Sequence, residues 1–364
     1  MLNQMAISDI APVTFMEGKL VILDQTKLPG HEERIELKCK EDVWEAINSL
    51  RVRGAPAIGI TAAYGLYVSM RHELKNIPVS GNDFKDKQTF GDVLKACRDY
   101  LATARPTVAN LKGSLDRVVK AFKDAHPKDV REAAEVLLAE ADSIRIEDEE
   151  ACRLMGEHGL KLLKPGMGLL THCNAGALAT SGYGTALAPI YMGNERGYMF
   201  RVYVDETRPM LQGSRLTAWE LKRAGADVTL FCDSAASIAM GNGMINAVLV
   251  GCTSIAANGD VAGKVGTSTL AILAKEYGIP FYVFAPTSTI DYSVKSGDDI
   301  EIELRDVKEV AGMWSSEPIA PGGIRIYNPS FDITKAENIT AIVTEKGIVR
   351  PPFIEGLKEI MNEL

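Results

Sequence analysis

The chain has 364 residues, 46% hydrophobic and 24% charged, with no low-complexity tract or collagen-like period, so disordered and fibrous architectures are excluded. Forty Lys and Arg against 48 Asp and Glu leave a formal net charge of -8, so no global basic field gathers polyanions. Nucleic acid is not an expected partner, whereas a small phosphate ester held by a few converging cations remains compatible with this balance. Six cysteines, at 39, 97, 152, 173, 232 and 252, form no CxxC pair and no disulfide framework, which suits a reducing, cytoplasmic compartment. The residues after Met1 lack the basic segment and apolar run of a secretory leader, so export is not expected.

In chain order, residues 1–145 read as an α+β domain. Short extended segments, Val13-Thr-Phe, Val21-Ile-Leu and Arg34-Ile-Glu-Leu, give way to helical patterns. Glu41 to Leu50 places Val43, Ala46, Ile47 and Leu50 on one helical face. The uncharged stretch between Arg53 and Arg71 contains Pro56, Gly59 and Gly65 and falls short of the roughly 20 apolar residues a bilayer span needs. It predicts a buried helix, and no membrane partner is expected. Charge-rich Lys75 to Gln88 reads as a solvated loop, and Asp129 to Glu140 as a further amphipathic helix.

Residues 146–364 read as a Rossmann-like domain with a mostly parallel sheet, placing the whole chain in the α/β class. From Gly166 onward, apolar runs at Gly168–His172, Phe200–Val204, Asp227–Phe231, Ile245–Val250 and Pro280–Phe284 alternate with helical segments such as Gly213–Ala224 and Ser268–Tyr277. Four of the runs are followed by polar, glycine-rich turns: His172-Cys-Asn-Ala-Gly, Asp205-Glu-Thr-Arg-Pro, Asp233-Ser-Ala and Gly251-Cys-Thr-Ser. Open α/β sheets bind ligands outside the carboxyl ends of their strands, so these four turns predict a site along one rim.

No strand is followed by GxGxxG or by a Walker loop, and the five histidines are scattered, so neither a cofactor nor a metal is expected. His172 adjoins Cys173, but neighbours on a strand face opposite ways, and His172 reads as a satisfied structural residue. Cys97, Cys152, Cys232 and Cys252 read as small buried hydrophobes.

Five segments then carry a resemblance: Arg53-Gly-Ala-Pro-Ala-Ile-Gly-Ile, Ala104-Arg-Pro-Thr, Thr171-His-Cys-Asn-Ala-Gly-Ala-Leu-Ala-Thr, Asp205-Glu-Thr-Arg-Pro-Met-Leu-Gln-Gly, and Pro286-Thr-Ser-Thr-Ile-Asp. Together they resemble the 5-methylthioribose-1-phosphate isomerase family, which is similar to ribose-1,5-bisphosphate isomerases and to regulatory subunits of the eukaryotic initiation guanine-nucleotide exchange factor. The resemblance implies an aldose–ketose isomerase of methionine salvage, a small N-terminal domain before the Rossmann-like one, and a homodimer. By position it implies substrate contacts at Arg53, Gly54, Ala55, Arg105, Gln212, Gly263 and Lys264. Two guanidinium groups and an ammonium suit a phosphate dianion, although any one such arginine alone reads as a surface ion pair. Cys173 matches the family's catalytic cysteine, a group able to move a proton at a sugar carbon.

Phosphate on the anomeric oxygen blocks simple ring opening, so the ring oxygen needs a proton. Where the family has an aspartate in Gly-Ala-Asp-Arg-Ile, this chain reads Gly251-Cys-Thr-Ser-Ile, and Thr253 holds the acid position. Gly263 stands where the family has Asn, and Asp233-Ser-Ala replaces Asp-Asn-Met. Three readings stay open. The chain is an isomerase of a related 5-deoxypentose 1-phosphate, with Asp260, Asp205 or water supplying the proton; a homologue that binds a phosphorylated sugar or nucleotide without turnover; or a regulatory protein like the exchange-factor subunits.

Overall fold

The computed structural model describes residues 10–75, 87–106 and 108–362. Most of the Lys75–Gln88 segment lies outside the described residues. The chain divides into two units, one comprising the described residues up to Glu150 with Ala177–Gly182, the other Ala151–Gly176 with the described residues from Tyr183 onward.

The N-terminal unit begins with an antiparallel three-stranded sheet, β1 (Val13–Met16), β2 (Lys19–Leu23) and β3 (Arg34–Leu37). Met16 pairs with Lys19, and the two residues between them, Glu17 and Gly18, both have positive φ, 52° and 75°. That backbone matches strand twist in a tight hairpin. The helices α1 (Lys40–Asn48), α2 (Ala55–Lys75), α3 (Lys87–Ala102), α4 (Ala109–Ala125) and α5 (Val130–Leu160) follow. α2 is apolar nearly all round, and Ala57, Ile58, Ile60, Ala62, Ala63, Tyr64 and Leu66 are all buried in one core with residues of α1, α3 and α4. Such a helix is stable only inside a shell of amphipathic neighbours.

The C-terminal unit holds a seven-stranded sheet in the order β14-β13-β10-β7-β4-β5-β6. In chain order its elements are β4 (Gly168–Thr171), α6 (Ala188–Glu195), β5 (Arg201–Glu206), α7 (Ala218–Arg223), β6 (Asp227–Cys232), α8 (Ala236–Gly241), β7 (Ala247–Gly251), β8 (Ser254–Ala256), β9 (Val261–Lys264), α9 (Thr267–Glu276), β10 (Phe281–Phe284), β11 (Ile290–Asp291), α10 (Val307–Ala311), β12 (Phe331–Thr334), β13 (Ala341–Thr344), β14 (Gly347–Val349) and α11 (Phe353–Asn362). All neighbours in this sheet run parallel except β13 and β14. Alternate residues feed two cores: Leu170, Val248, Val250 and Val283 one, and Leu169, Ala247, Leu249 and Phe284 the other. Burial on both faces is why these strands read as continuous apolar runs. β8 and β9 form a hairpin in a separate four-stranded sheet, ordered β11-β8-β9-β12.

After β4 the chain builds outward through β5 and β6, then returns to place β7 on the other side of β4. The strand order therefore reverses between β4 and β7, and a doubly wound sheet opens a crevice at such a reversal. Cys173 follows one of these strands and Thr253 the other. The expected class, with a mostly parallel Rossmann-like sheet after a smaller strand-plus-helix part, is what the structure has.

In the N-terminal unit, Asp148 of α5 accepts from the Ser181 backbone N–H at 2.8 Å and the Ser181 hydroxyl at 2.6 Å. Burial pushes its carboxyl up to about 6, and the Ser181 hydrogen bonds only partly oppose it. An unfolded aspartate releases its proton near 4, so the folded state binds that proton more tightly. The resulting stabilisation is complete below about pH 4 and is lost as pH rises through about 6. Asp148→Asn, which retains the acceptor, should raise stability at pH 7.5 by about 1–3 kcal/mol and flatten the slope between pH 4 and 6. Urea melts at both ends of that window check this.

Candidate active site

Within the N-terminal unit, the Arg53-Gly-Ala segment leads into α2. The Gly54 carbonyl accepts from Ile58 N–H at 2.9 Å, making it the first link of the helix. Gly54 has φ +92°, and a Cβ there would lie 2.6 Å from Cα, Cβ and O of Ala179. No other residue satisfies both conditions. Arg105 follows the end of α3. α1 ties down both arginine-bearing stretches: its Ala46 carbonyl accepts from Val52 N–H at 3.2 Å, and its Asn48 amide donates to the Ala104 carbonyl at 3.1 Å. Arg53, Ala55 and Arg105 are half-buried.

Within the C-terminal unit, β4 ends at Thr171 and the backbone turns sharply. Cys173 adopts φ 61°, a left-handed conformation rare for a residue with a side chain. Its carbonyl accepts from the Thr217 hydroxyl, whose oxygen in turn accepts from the Asn174 amide at 3.0 Å. The Asn174 amide also donates to the buried Glu220 carboxylate. Thr217 and Glu220 thus hold the Cys173–Asn174 turn in its strained shape. The cysteine itself is half-buried.

Gln212 sits after β5, its side-chain oxygen accepting from the Thr207 hydroxyl at 2.9 Å, which leaves the amide nitrogen to donate elsewhere. Glu206 caps the turn behind it, accepting from Gly213 N–H at 3.2 Å and Ser214 N–H at 3.1 Å. The predicted helix over Gly213–Ala224 begins as a wider π turn, Gly213–Thr217, before α7. That wider turn carries Thr217, the residue that pins the cysteine loop.

The β8–β9 hairpin pairs Ser254 with Ala262, and Thr253 N–H donates to the Ala262 carbonyl at 2.8 Å. Thr253 and Gly263, both departures from the family pattern, therefore flank the same end of one hairpin. Thr253 is exposed, and a Cβ on Gly263 would sit 2.7–2.9 Å from the Thr267 side chain, so Thr267 fills that place. The Lys264 ammonium lies 5.0 Å above the Phe331 ring. Asp332 caps α9 through Gly266 N–H at 2.7 Å and Ser268 N–H at 3.1 Å, so the helix terminus beside Lys264 already has its anion.

Both carboxylates considered as proton sources are committed to the protein. Asp260 is buried, but three backbone and side-chain donors, Ala336 N–H, Gly297 N–H and Lys335, outweigh that burial and hold its carboxyl below the usual range. It stays ionised. Asp205 is fully buried and faces His172. His172 is structural, as expected, and bonds Asp205 and the Val265 carbonyl. Among the other cysteines, Cys97 and Cys152 are buried as expected, whereas Cys252 is only partly buried, with desolvation pushing its thiol up to about 12. Cys232 corrects the expectation: it is exposed, because β6 is the sheet's edge strand.

Residues 51–351 match the model of the initiation factor 2 subunit family. The chain belongs to this family. It is 56% identical over 343 residues to a methylthioribose-1-phosphate isomerase of Symbiobacterium thermophilum, covering 94% of this chain and 93% of that one. It is 54% identical over 356 residues to a 5-deoxyribose 1-phosphate isomerase of Petrotoga mobilis, covering 97% and 99%. The crystal structure of 5-methylthioribose 1-phosphate isomerase from Pyrococcus horikoshii superposes with TM-score 0.90 at 37% identity, covering 100% of this chain and 98% of that one. The isomerase relatives match both units at nearly full length.

The geometry around Gly54 yields a direct test. Gly54→Ala combines an unfavourable positive φ with a collision against backbone atoms that cannot rotate away, and should destabilise the protein by about 2–4 kcal/mol. Urea unfolding of this variant, beside Ala55→Gly as the flexible control, measures it.

Proposed function

We propose that the chain is an aldose–ketose isomerase that converts a 5-substituted ribose 1-phosphate, either 5-methylthioribose 1-phosphate or 5-deoxyribose 1-phosphate, into the corresponding ribulose 1-phosphate. The observation that carries this reading is the strained Cys173 turn at the strand-order reversal, in a chain 54–56% identical to relatives bearing those two isomerase names. The reaction is redox-neutral and moves only protons. The C1–ring-oxygen bond breaks as the ring oxygen gains a proton, Cys173 takes the proton from C2 to leave an enol, and a proton is returned to C1 while the C2 hydroxyl becomes the ketone. The phosphate ester stays intact throughout.

With Asp260 ionised and Asp205 buried, the ring-oxygen proton comes from water held by the exposed Thr253 hydroxyl, which orients a donor without being an acid itself at neutral pH. Gln212 and Lys264 contact the sugar phosphate, and Gly263 leaves the β8–β9 hairpin its close fit to Thr267. Arg53 and Arg105, with the Gly54 and Ala55 backbone, are assigned to the phosphate on their match to the family's motifs. In this reading residues 1–145 and 146–364 are the two domains, and the enzyme acts in the cytoplasm as a homodimer in methionine salvage or a related pathway. Its only ligand is a small phosphorylated pentose, with no nucleic-acid or membrane partner.

Incubation of the purified protein with each sugar phosphate, followed by NMR, should show ketose 1-phosphate formed from at least one. Cys173→Ala should lower kcat by about 10³-fold or more, and Thr253→Val by about tenfold with little change in KM. Tight sugar-phosphate binding with no turnover would replace this reading with a regulatory one. A Cys173→Ala rate equal to wild type would remove the thiol from the mechanism.

A further inference from the structure

His172 and Asp205 lie 33 residues apart in sequence, one just past β4 and the other near the end of β5. The His172 Nδ1 is 2.9 Å from both Asp205 carboxylate oxygens, and Nε2 is 3.0 Å from the Val265 carbonyl. A carbonyl only accepts, so Nε2 carries a proton. Equal approach to both carboxylate oxygens suits an N–H donor at Nδ1 as well. The ring bridges three segments: the end of β4, the end of β5, and the turn between β9 and α9. Gly266 packs against the ring, where a Cβ would come within 2.7 Å of Cε1. Cys173 is the next residue after the imidazole, and Lys264 immediately precedes the carbonyl it holds.

We infer that His172 and Asp205 form a buried imidazolium–carboxylate pair that acts as a positioning device, fixing Cys173 and Lys264 relative to each other. This rests on the isomerase reading for the meaning of those two residues, although the pair itself does not. Burial alone would drive the imidazole down, but the Asp205 charge and hydrogen bond and the Val265 carbonyl outweigh it and hold the proton more tightly than a free imidazole does. Burial pushes the Asp205 carboxyl up, opposed by the His172 charge and hydrogen bond; Asp332 from β12 adds negative charge toward His172, and Asp233 after β6 adds it toward Asp205. Truncating one partner leaves the other buried without its bond, and the three segments lose their common tie.

Two variants separate charge from geometry. In Asp205→Asn the amide can donate to Nδ1 of a neutral ring that keeps Nε2–H on Val265, whereas Asp205→Ala abolishes the bridge. Long-range ¹H–¹⁵N NMR of the full chain at pH 7.5, with His172 assigned through His172→Gln, should show both ring nitrogens protonated in wild type and only Nε2 protonated in Asp205→Asn. Alkylation of Cys173 by iodoacetamide, followed on its own peptide by mass spectrometry, should change more than about fivefold in Asp205→Ala and less than twofold in Asp205→Asn. Cys39, in the N-terminal unit, serves as the unchanged control. In turnover, kcat should fall at least 100-fold in Asp205→Ala and stay within about fivefold in Asp205→Asn. A neutral His172 in wild type, or equal Cys173 reactivity in all three proteins, overturns the inference. The NMR and alkylation arms need no substrate, so they decide it even if neither sugar phosphate is turned over. If Asp205→Ala does not fold, the wild-type and Asp205→Asn spectra still give the answer.

Discussion

The end of β4 is the constraint on which the rest of the C-terminal unit depends. A strand buried on both faces must leave the sheet where its backbone can still be satisfied, and it does so at the point where the strand order reverses. The first residue beyond the strand turns its ring inward and the second adopts a left-handed backbone, so Cys173 stays half-buried at the strand end instead of being enclosed with its neighbours. Thr217 and Glu220 from one helical segment, Asp205 from β5 and Val265 from the turn after β9 each hold one part of that turn. The strain at Cys173 persists because several separate bonds over-determine it.

The parallel strands were legible because burial on both faces leaves a continuous apolar run. β4, β5, β6, β7 and β10 coincide, within two residues, with the five runs seen in the sequence. The short strands were not: β8, β9 and β12 owe their existence to pairing across the hairpin and with one another, and Ser254–Ala256 or Val261–Lys264 carries no period of its own. The helix seen over Asp129–Glu140 extends to Leu160, since charged residues such as Glu147 and Glu150 interrupt the apolar pattern on its exposed side without ending the helix.

The same division holds for the site. Cys173, Gln212, Lys264 and Thr253 could be picked out because each sits in a short local motif. What supports them could not, because a hydrogen bond between residues 33 or 44 positions apart leaves no mark on spacing. The only local hint was the oddity of His172 beside Cys173, and strand alternation correctly argued against a direct bond between them. Asp205 was legible as a carboxyl near the rim, but not as a group wholly withdrawn from solvent against the His172 ring.

Thr253 and Gly263 gain meaning from being neighbours on one hairpin. Taken separately, each is a departure from a family motif; taken together, they alter a single surface. Loss of a carboxylate at 253 removes a charge beside the hairpin end, and Gly263 lets Thr267 close over the strand where a longer side chain would have stood. The turn at Cys173 and the segment after Lys264 are still tied by one buried ring, while two paired positions at the hairpin end differ from the family pattern. The difference falls where the family places its acid, so it bears on how a proton is delivered and leaves the turn that holds the cysteine as it was.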